Sequence, residues 1–185
     1  MPSHKVRFLL LFLVSTMILQ QITVVRASAW VKMNRRLVCF GARGNQYGSF
    51  QNYAKEGKVS AIKLVYHHGY VRCARKAVYH SRWGCGGRFR NIVNVIATDE
   101  HNRILFPRKD LYYSKYKSGL WYTLPFADGV RSKELVFLQE NFVRPFYFPL
   151  ERQMRIWYGE DLANSSEKDN AGRVCVNVYA KFTTL

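Results

Sequence analysis

Glu160, Asp161, Glu167 and Asp169 are four of only twelve carboxylates in a chain that carries 29 lysines and arginines, and they fall within one short stretch near the C-terminus. Asn164 and Asn170 add amide carbonyls. Oxygen donors in this density suit a hard cation: Ca2+ takes about six to eight of them. Glu160, Asp161, Glu167, Asp169 and Asn170 are therefore the candidate ligand set, and Ca2+ is the cofactor it would take. The spacing does not match an EF-hand loop. The competing reading is a solvated acidic loop that offsets Arg155, Lys168 and Arg173.

A second candidate has the opposite sign. Residues 74–90, ARKAVYHSRWGCGGRFR, hold no acid, and Arg72, Arg75, Lys76, Arg82, Arg88 and Arg90 alternate with Tyr79, Trp83 and Phe89. Cations interleaved with rings bind polyanions through charge and stacking. The ligands that fit are acidic extracellular polymers, sulfated glycans or acidic matrix proteins. Nucleic acid is not expected for a secreted chain. A membrane surface is the partner under an alternative reading, a basic membrane-active toxin or defence protein.

Catalytic patterns are missing. The chain has no Gly-x-Ser-x-Gly, His-Glu-x-x-His, P-loop or dinucleotide fingerprint. Glu160 and Asp161 are adjacent rather than opposed across a cleft, the wrong arrangement for glycoside hydrolysis. His67 and His68 are also adjacent, so on a strand they point to opposite faces and cannot chelate one ion together. The expectation is a binding protein and not an enzyme.

Residues 1–29 read as a secretory signal peptide: a basic MPSHKVR, the apolar run FLLLFLVSTMIL, and the small-residue triplet Ala27-Ser28-Ala29. Residues 30–185 are then one secreted β-rich domain, of a size that buries its own core. The whole chain carries a formal charge of +17. In an oxidising compartment Cys39, Cys73, Cys85 and Cys175 should pair, with three connectivities open. The preferred one is Cys73–Cys85 as a local clasp and Cys39–Cys175 joining the first and last strands. Asn164-Ser165-Ser166 is a glycosylation sequon, which places Asn164 at the surface.

These candidates must be carried by short strands. Runs rich in Val, Ile, Tyr and Phe recur at 37–40, 61–66, 70–73, 91–97, 103–106, 111–113, 120–124, 134–138, 154–158 and 173–182. No mature stretch of about eleven residues keeps a helical period. The fold class is all-β, a disulfide-bonded β-sandwich or jelly-roll-like domain. Residues 91–106 are a hairpin, residues 61–73 are two strands or one bent strand, and the Gly-rich 41–58 is a long loop. The acidic stretch is a loop between two antiparallel strands.

The ordered set Tyr70-Val71-Arg72-Cys73, Trp83-Gly84-Cys85, Trp157-Tyr158-Gly159-Glu160-Asp161-Leu162 and Asp169-Asn170-Ala171-Gly172-Arg173-Val174-Cys175 resembles uncharacterised secreted proteins and ectodomains of cnidarians, coral skeletal organic matrix proteins among them. The resemblance spans about residues 60–182. It implies an extracellular-matrix setting, biomineralisation included, and brings no catalytic residue. Mineral-associated proteins are often acidic, so the basic charge points to acidic matrix polymers rather than to mineral.

Overall fold

A computed structural model describes residues 29–112 and 114–183. The signal-peptide reading falls, apart from Ala29, outside these residues. No helix among them is long and apolar enough to cross a membrane.

The chain is all-β, as its short apolar runs predict. Two antiparallel sheets are built from β1 (Val31–Lys32), β2 (Val38–Gly41), β3 (Gly48–Gln51), β4 (Gly57–Arg72), β5 (Val95–Asp99), β6 (Ile104–Phe106), β7 (Glu134–Leu138), β8 (Tyr147–Phe148), β9 (Gln153–Tyr158) and β10 (Ala171–Phe182). The larger sheet runs β1-β10-β4-β7, with β2 also on β10 and β8 also on β4. The smaller runs β3-β9-β5-β6. Val174, Val176, Val178, Ala180 and Phe182 of β10 alternate inward and are buried, the period-2 pattern of a strand with one face in the core. They share that core with Ile62 and Leu64 of β4, Val95 and Ile96 of β5, and Met154 and Ile156 of β9.

The long β4–β10 ladder is the spine. Residues 61–72 prove to lie on one strand rather than two, with Cys73 just past its end, and the ladder shifts register between Cys175 and Val176, so that His67 has no partner in the ladder. Just beyond, Gly69 and Gly172 adopt φ of +94° and +93°. A Cβ on either would run into the backbone carbonyl of Arg173 or Tyr70. The strands can approach there only as glycine.

Three local expectations are corrected. The acidic stretch does not close a hairpin: β9 lies in the smaller sheet and β10 in the larger, so residues 159–170 cross between sheets. The Gly-rich 41–58 segment contains a strand, β3, whose Gly48 to Gln51 pair with Ile156 to Gln153 of β9; that long-range pairing outweighs the local turn composition. Residues 111–112 and 120–124 form no regular strand, and Tyr113 lies outside the described residues. Lys109–Leu111 and Ser114–Gly119 are 3-10 turns, and Tyr112 and Tyr122 meet in an isolated bridge. The Tyr122 ring is drawn fully into the core, where its hydroxyl donates to the Val95 carbonyl at 2.6 Å. Burial of that ring, not ladder pairing, explains the apolar run.

Both disulfides have the preferred connectivity, Cys39–Cys175 and Cys73–Cys85. The first joins directly opposed residues of β2 and β10. Its loop spans 136 residues, against 12 for the second. Loop-closure entropy then sets about 5 kcal/mol against about 3. Removing Cys39–Cys175 by paired alanine substitution is expected to lower the urea midpoint more than removing Cys73–Cys85; equal losses would mean that loop length is not what sets the stabilisation.

Candidate functional site

The two candidate stretches converge on one cavity. β9 ends in a single helical turn, α1 (Gly159–Leu162), which turns Glu160 and Asp161 inward; they are 8% and 1% exposed. The Glu160 carboxylate accepts Trp121 Nε1 at 2.9 Å and Asn170 Nδ2 at 2.9 Å. Its backbone N–H donates to Asn94 Oδ1 at 3.0 Å, while Asn94 Nδ2 donates to the Gly119 carbonyl at 2.7 Å. Glu160 is thus held by hydrogen-bond partners from three separate segments, two donating to its carboxylate and one accepting from its backbone. Burial raises its pKa, and the charges of Asp169 and Glu167 add to that rise against the two hydrogen bonds.

Asp161 is aimed elsewhere. Its oxygens accept the backbone N–H groups of Asn45 at 2.7 Å and Gln46 at 2.9 Å, and Glu167 accepts that of Gly44 at 3.0 Å. Arg43 Nη1 donates to the Lys168 carbonyl at 3.0 Å. The loop between β2 and β3 is docked by these bonds onto the acidic segment, which answers its orphaned N–H groups. Burial, with the nearby Glu167 carboxyl, raises Asp161 to about 6. Asn170 is buried, and its Oδ1 has no partner among the described residues. Asn164 is exposed in a left-handed conformation, as its sequon predicts. Asp169 sits on a 3-10 turn, Glu167–Asp169. A cluster of three acidic or histidine groups with metal-like spacing does occur among the described residues, but at the β5–β6 turn, in Asp99, Glu100 and His101.

The basic segment divides. Arg82 is partly buried, donating to the Arg131 and Ser132 carbonyls and stacking 4.4 Å over Tyr66. Arg90 pairs with Asp128. Arg72 is half-buried, with Nε unpartnered among the described residues. Arg75, Lys76 and Arg88 remain exposed, and among the described residues none of the three is in an ion pair. Five of the six candidate cations, Arg72, Arg75, Lys76, Arg82 and Arg88, are therefore clear of carboxylate partners among the described residues, and only Arg90 has one.

Between the segments lies a cavity of about 290 Å³, lined by Cys73, Ala74, Tyr79, Phe89, Ile92, Tyr116, Trp121, Glu160 and Ser166. Phe89 stands between Tyr79, at 6.4 Å, and Tyr116, edge-on at 6.0 Å. Trp121 is backed edge-on by Tyr158. Sequence reasoning missed Tyr116 and Trp121 as site residues, because nothing in their spacing links them to residues 73–92 or to Glu160. A larger groove of about 500 Å³ borders β7, lined by Leu124, Phe126, Val136, Leu138, Glu134 and Glu140 among others; it gathers none of the candidate residues.

The fold has a counterpart in a solved structure. AJLec from the sea anemone Anthopleura japonica superposes with a TM-score of 0.74 at 34% sequence identity, covering 85% of this chain and 99% of that one. The chain belongs to the AJLec family. A sea anemone is a cnidarian, so the cnidarian likeness of the ordered motifs holds at that level. No family model and no curated protein matches the chain.

The crowded carboxylates make stability depend on pH with a definite sign. A carboxyl whose pKa is raised by folding contributes stability that is full below its ordinary value of 3.8 and is lost as pH rises through about 6. Glu160 shifts the same way. Asp99 and Asp128 oppose it: burial pushes them up, but hydrogen bonds from Arg103 and Arg90 bring them below the ordinary value, so their loss falls at lower pH. Lowering pH from about 7 to about 5 is expected to raise the thermal midpoint. Glu167→Gln, which keeps an acceptor for Gly44 but removes the neighbouring charge, should flatten that rise.

Proposed function

We propose that this protein is a secreted, non-enzymatic carbohydrate-binding protein that recognises acidic glycans, with the organic matrix around cnidarian cells as its setting. The carrying observation is kinship: the chain belongs to the family of AJLec, a lectin-like protein. Two disulfides and the absence of free cysteines among the described residues suit an oxidising, extracellular compartment. The formal charge of +17 and the unpaired Arg75, Lys76 and Arg88 favour sulfated or carboxylated polymers over neutral ones.

Retention on a heparin column measures this directly. The protein should elute only at elevated salt, since exposed charges are screened over about 8 Å at physiological ionic strength. Arg75→Gln with Lys76→Gln should elute earlier with an unchanged unfolding midpoint, because exposed substitutions stay within about 0.5 kcal/mol. Elution in the void volume would sink the acidic-glycan reading. Leakage of dye from anionic liposomes would instead favour the membrane-active alternative.

Calcium dependence is the finer form of the same reading, supported by the mutual crowding of Glu160, Asp161, Glu167 and Asp169 that a divalent cation would relieve. Millimolar Ca2+ is then expected to stabilise the native state, by about 2.7 kcal/mol at roughly a hundredfold excess over Kd. The double variant Asp161→Asn/Asp169→Asn should lose that gain. An unmoved midpoint in the parent protein removes the cation from the mechanism.

A further inference from the structure

The cavity beside the Cys73–Cys85 disulfide has the composition of a ligand site and a charge pattern that selects among ligands. Small-molecule sites are mostly apolar and aromatic, with a few fixed polar groups that set orientation. Here Tyr79, Phe89, Ile92, Tyr116 and Trp121 supply the apolar wall, and Glu160 is the carboxylate among them. About 290 Å³ lies at the lower edge of the roughly 300–1,000 Å³ of drug-sized sites. That is room for one sugar ring rather than an oligosaccharide.

Glu160 is positioned and still able to accept. Trp121 and Asn170 each occupy one of its oxygens, while an ionised carboxylate offers about four lone-pair sites. Gly119 permits this placement: a Cβ there would come within 3.0 Å of Glu160 Cγ and 2.9 Å of the Trp121 ring. Among the described residues Glu160 is in no salt bridge, so the cavity wall carries a carboxylate matched only by neutral donors. A hydroxyl-bearing ligand would add a charge-assisted hydrogen bond.

The cations outside decide which hydroxyl-bearing ligand. Arg88 and Lys115 are exposed, and each adjoins a lining ring: the Arg88 guanidinium lies 4.9 Å from the Phe89 centroid and Lys115 Nζ 5.6 Å from that of Tyr116. Two positive charges beside the aromatic wall disfavour an ammonium ligand, which rings and a carboxylate alone would otherwise attract. They favour a ligand that presents hydroxyls inward and an anion outward.

We propose that this cavity is a saccharide subsite for one pyranose ring bearing an anionic substituent, with its C–H face against Phe89 and Trp121, a hydroxyl on Glu160, and the anion at Arg88 and Lys115. The proposal rests on the acidic-glycan reading and gives it a place and an orientation. Polymer retention through Arg75 and Lys76 is a separate, weaker contact with the remainder of the chain.

The test is equilibrium binding of the full secreted chain to methyl hexopyranosides in the gluco and galacto series, each as the neutral sugar, its 6-sulfate and the corresponding uronic acid, followed by tryptophan fluorescence. At least one anionic probe should bind about tenfold more tightly than its neutral parent; the better of sulfate and uronate identifies the substituent. Glu160→Gln and Phe89→Ala should each weaken all bound probes about tenfold or more. Arg88→Gln/Lys115→Gln, at exposed positions that leave the fold intact, should abolish only the preference for the anion. Binding unchanged in that double variant, or a neutral sugar bound as tightly as the charged ones, overturns the proposal. So does heparin retention without any response to the monosaccharides, which would leave the acidic-glycan reading standing; failure of both would remove the two together.

Discussion

Two adjacent carboxylates, in no salt bridge among the described residues, hold together the cavity side of the molecule. Glu160 and Asp161 sit on the helical turn that follows β9 and face different segments, and both must be met by N–H donors because buried charge is costly when unmatched. The donors come from distant chain positions: Trp121 and Asn170 for the first, Asn45 and Gln46 for the second. Each hydrogen bond therefore also fixes a segment that the sheets alone would leave loose. The loop between β2 and β3, the 3-10 region before Trp121, and the return into β10 are all fastened to one helical turn.

This arrangement accounts for the uneven distribution of charge. A chain with 29 basic and 12 acidic side chains would, with evenly scattered acids, neutralise part of its surface. Instead, several acids are spent inside or at turns: Asp99 caps the β5–β6 turn through the N–H groups of His101 and Arg103, and Asp128 accepts those of Val130 and Arg131. What remains outside is strongly positive. The same economy that gives the loops their donors and acceptors leaves Arg75, Lys76, Arg88 and Lys115 free to act at long range.

The fold was legible in the sequence where one strand carries its own signal. β5, β7, β9 and β10 announce themselves by alternation or by β-branched runs, and Cys39 and Cys175 lie on strands that pair with each other. β3 was not legible, because a four-residue strand opening on Gly48 has little local preference and exists through its pairing with β9. The run 120–124 misled for the opposite reason: Tyr122 and Leu124 are apolar because they are buried, and Leu120 at φ +58° breaks any ladder before it starts. Local composition reports burial more faithfully than it reports pairing.

The site was half legible, and the missing half is instructive. Acidity at 160–169 and basicity at 72–90 were both visible, yet as two separate candidates of opposite charge, one for cations and one for polyanions. Only the crossing of residues 159–170 from one sheet to the other brings Glu160 against Trp121 and turns the two into walls of a single cavity. No spacing rule encodes that, since the residues involved are contributed by three loops whose relative placement is set by the β4–β10 ladder and by β9. What the sequence shows as opposing charges the fold uses as an inner acceptor and an outer field, a division of labour in which orientation comes from one carboxylate and attraction from the surrounding cations.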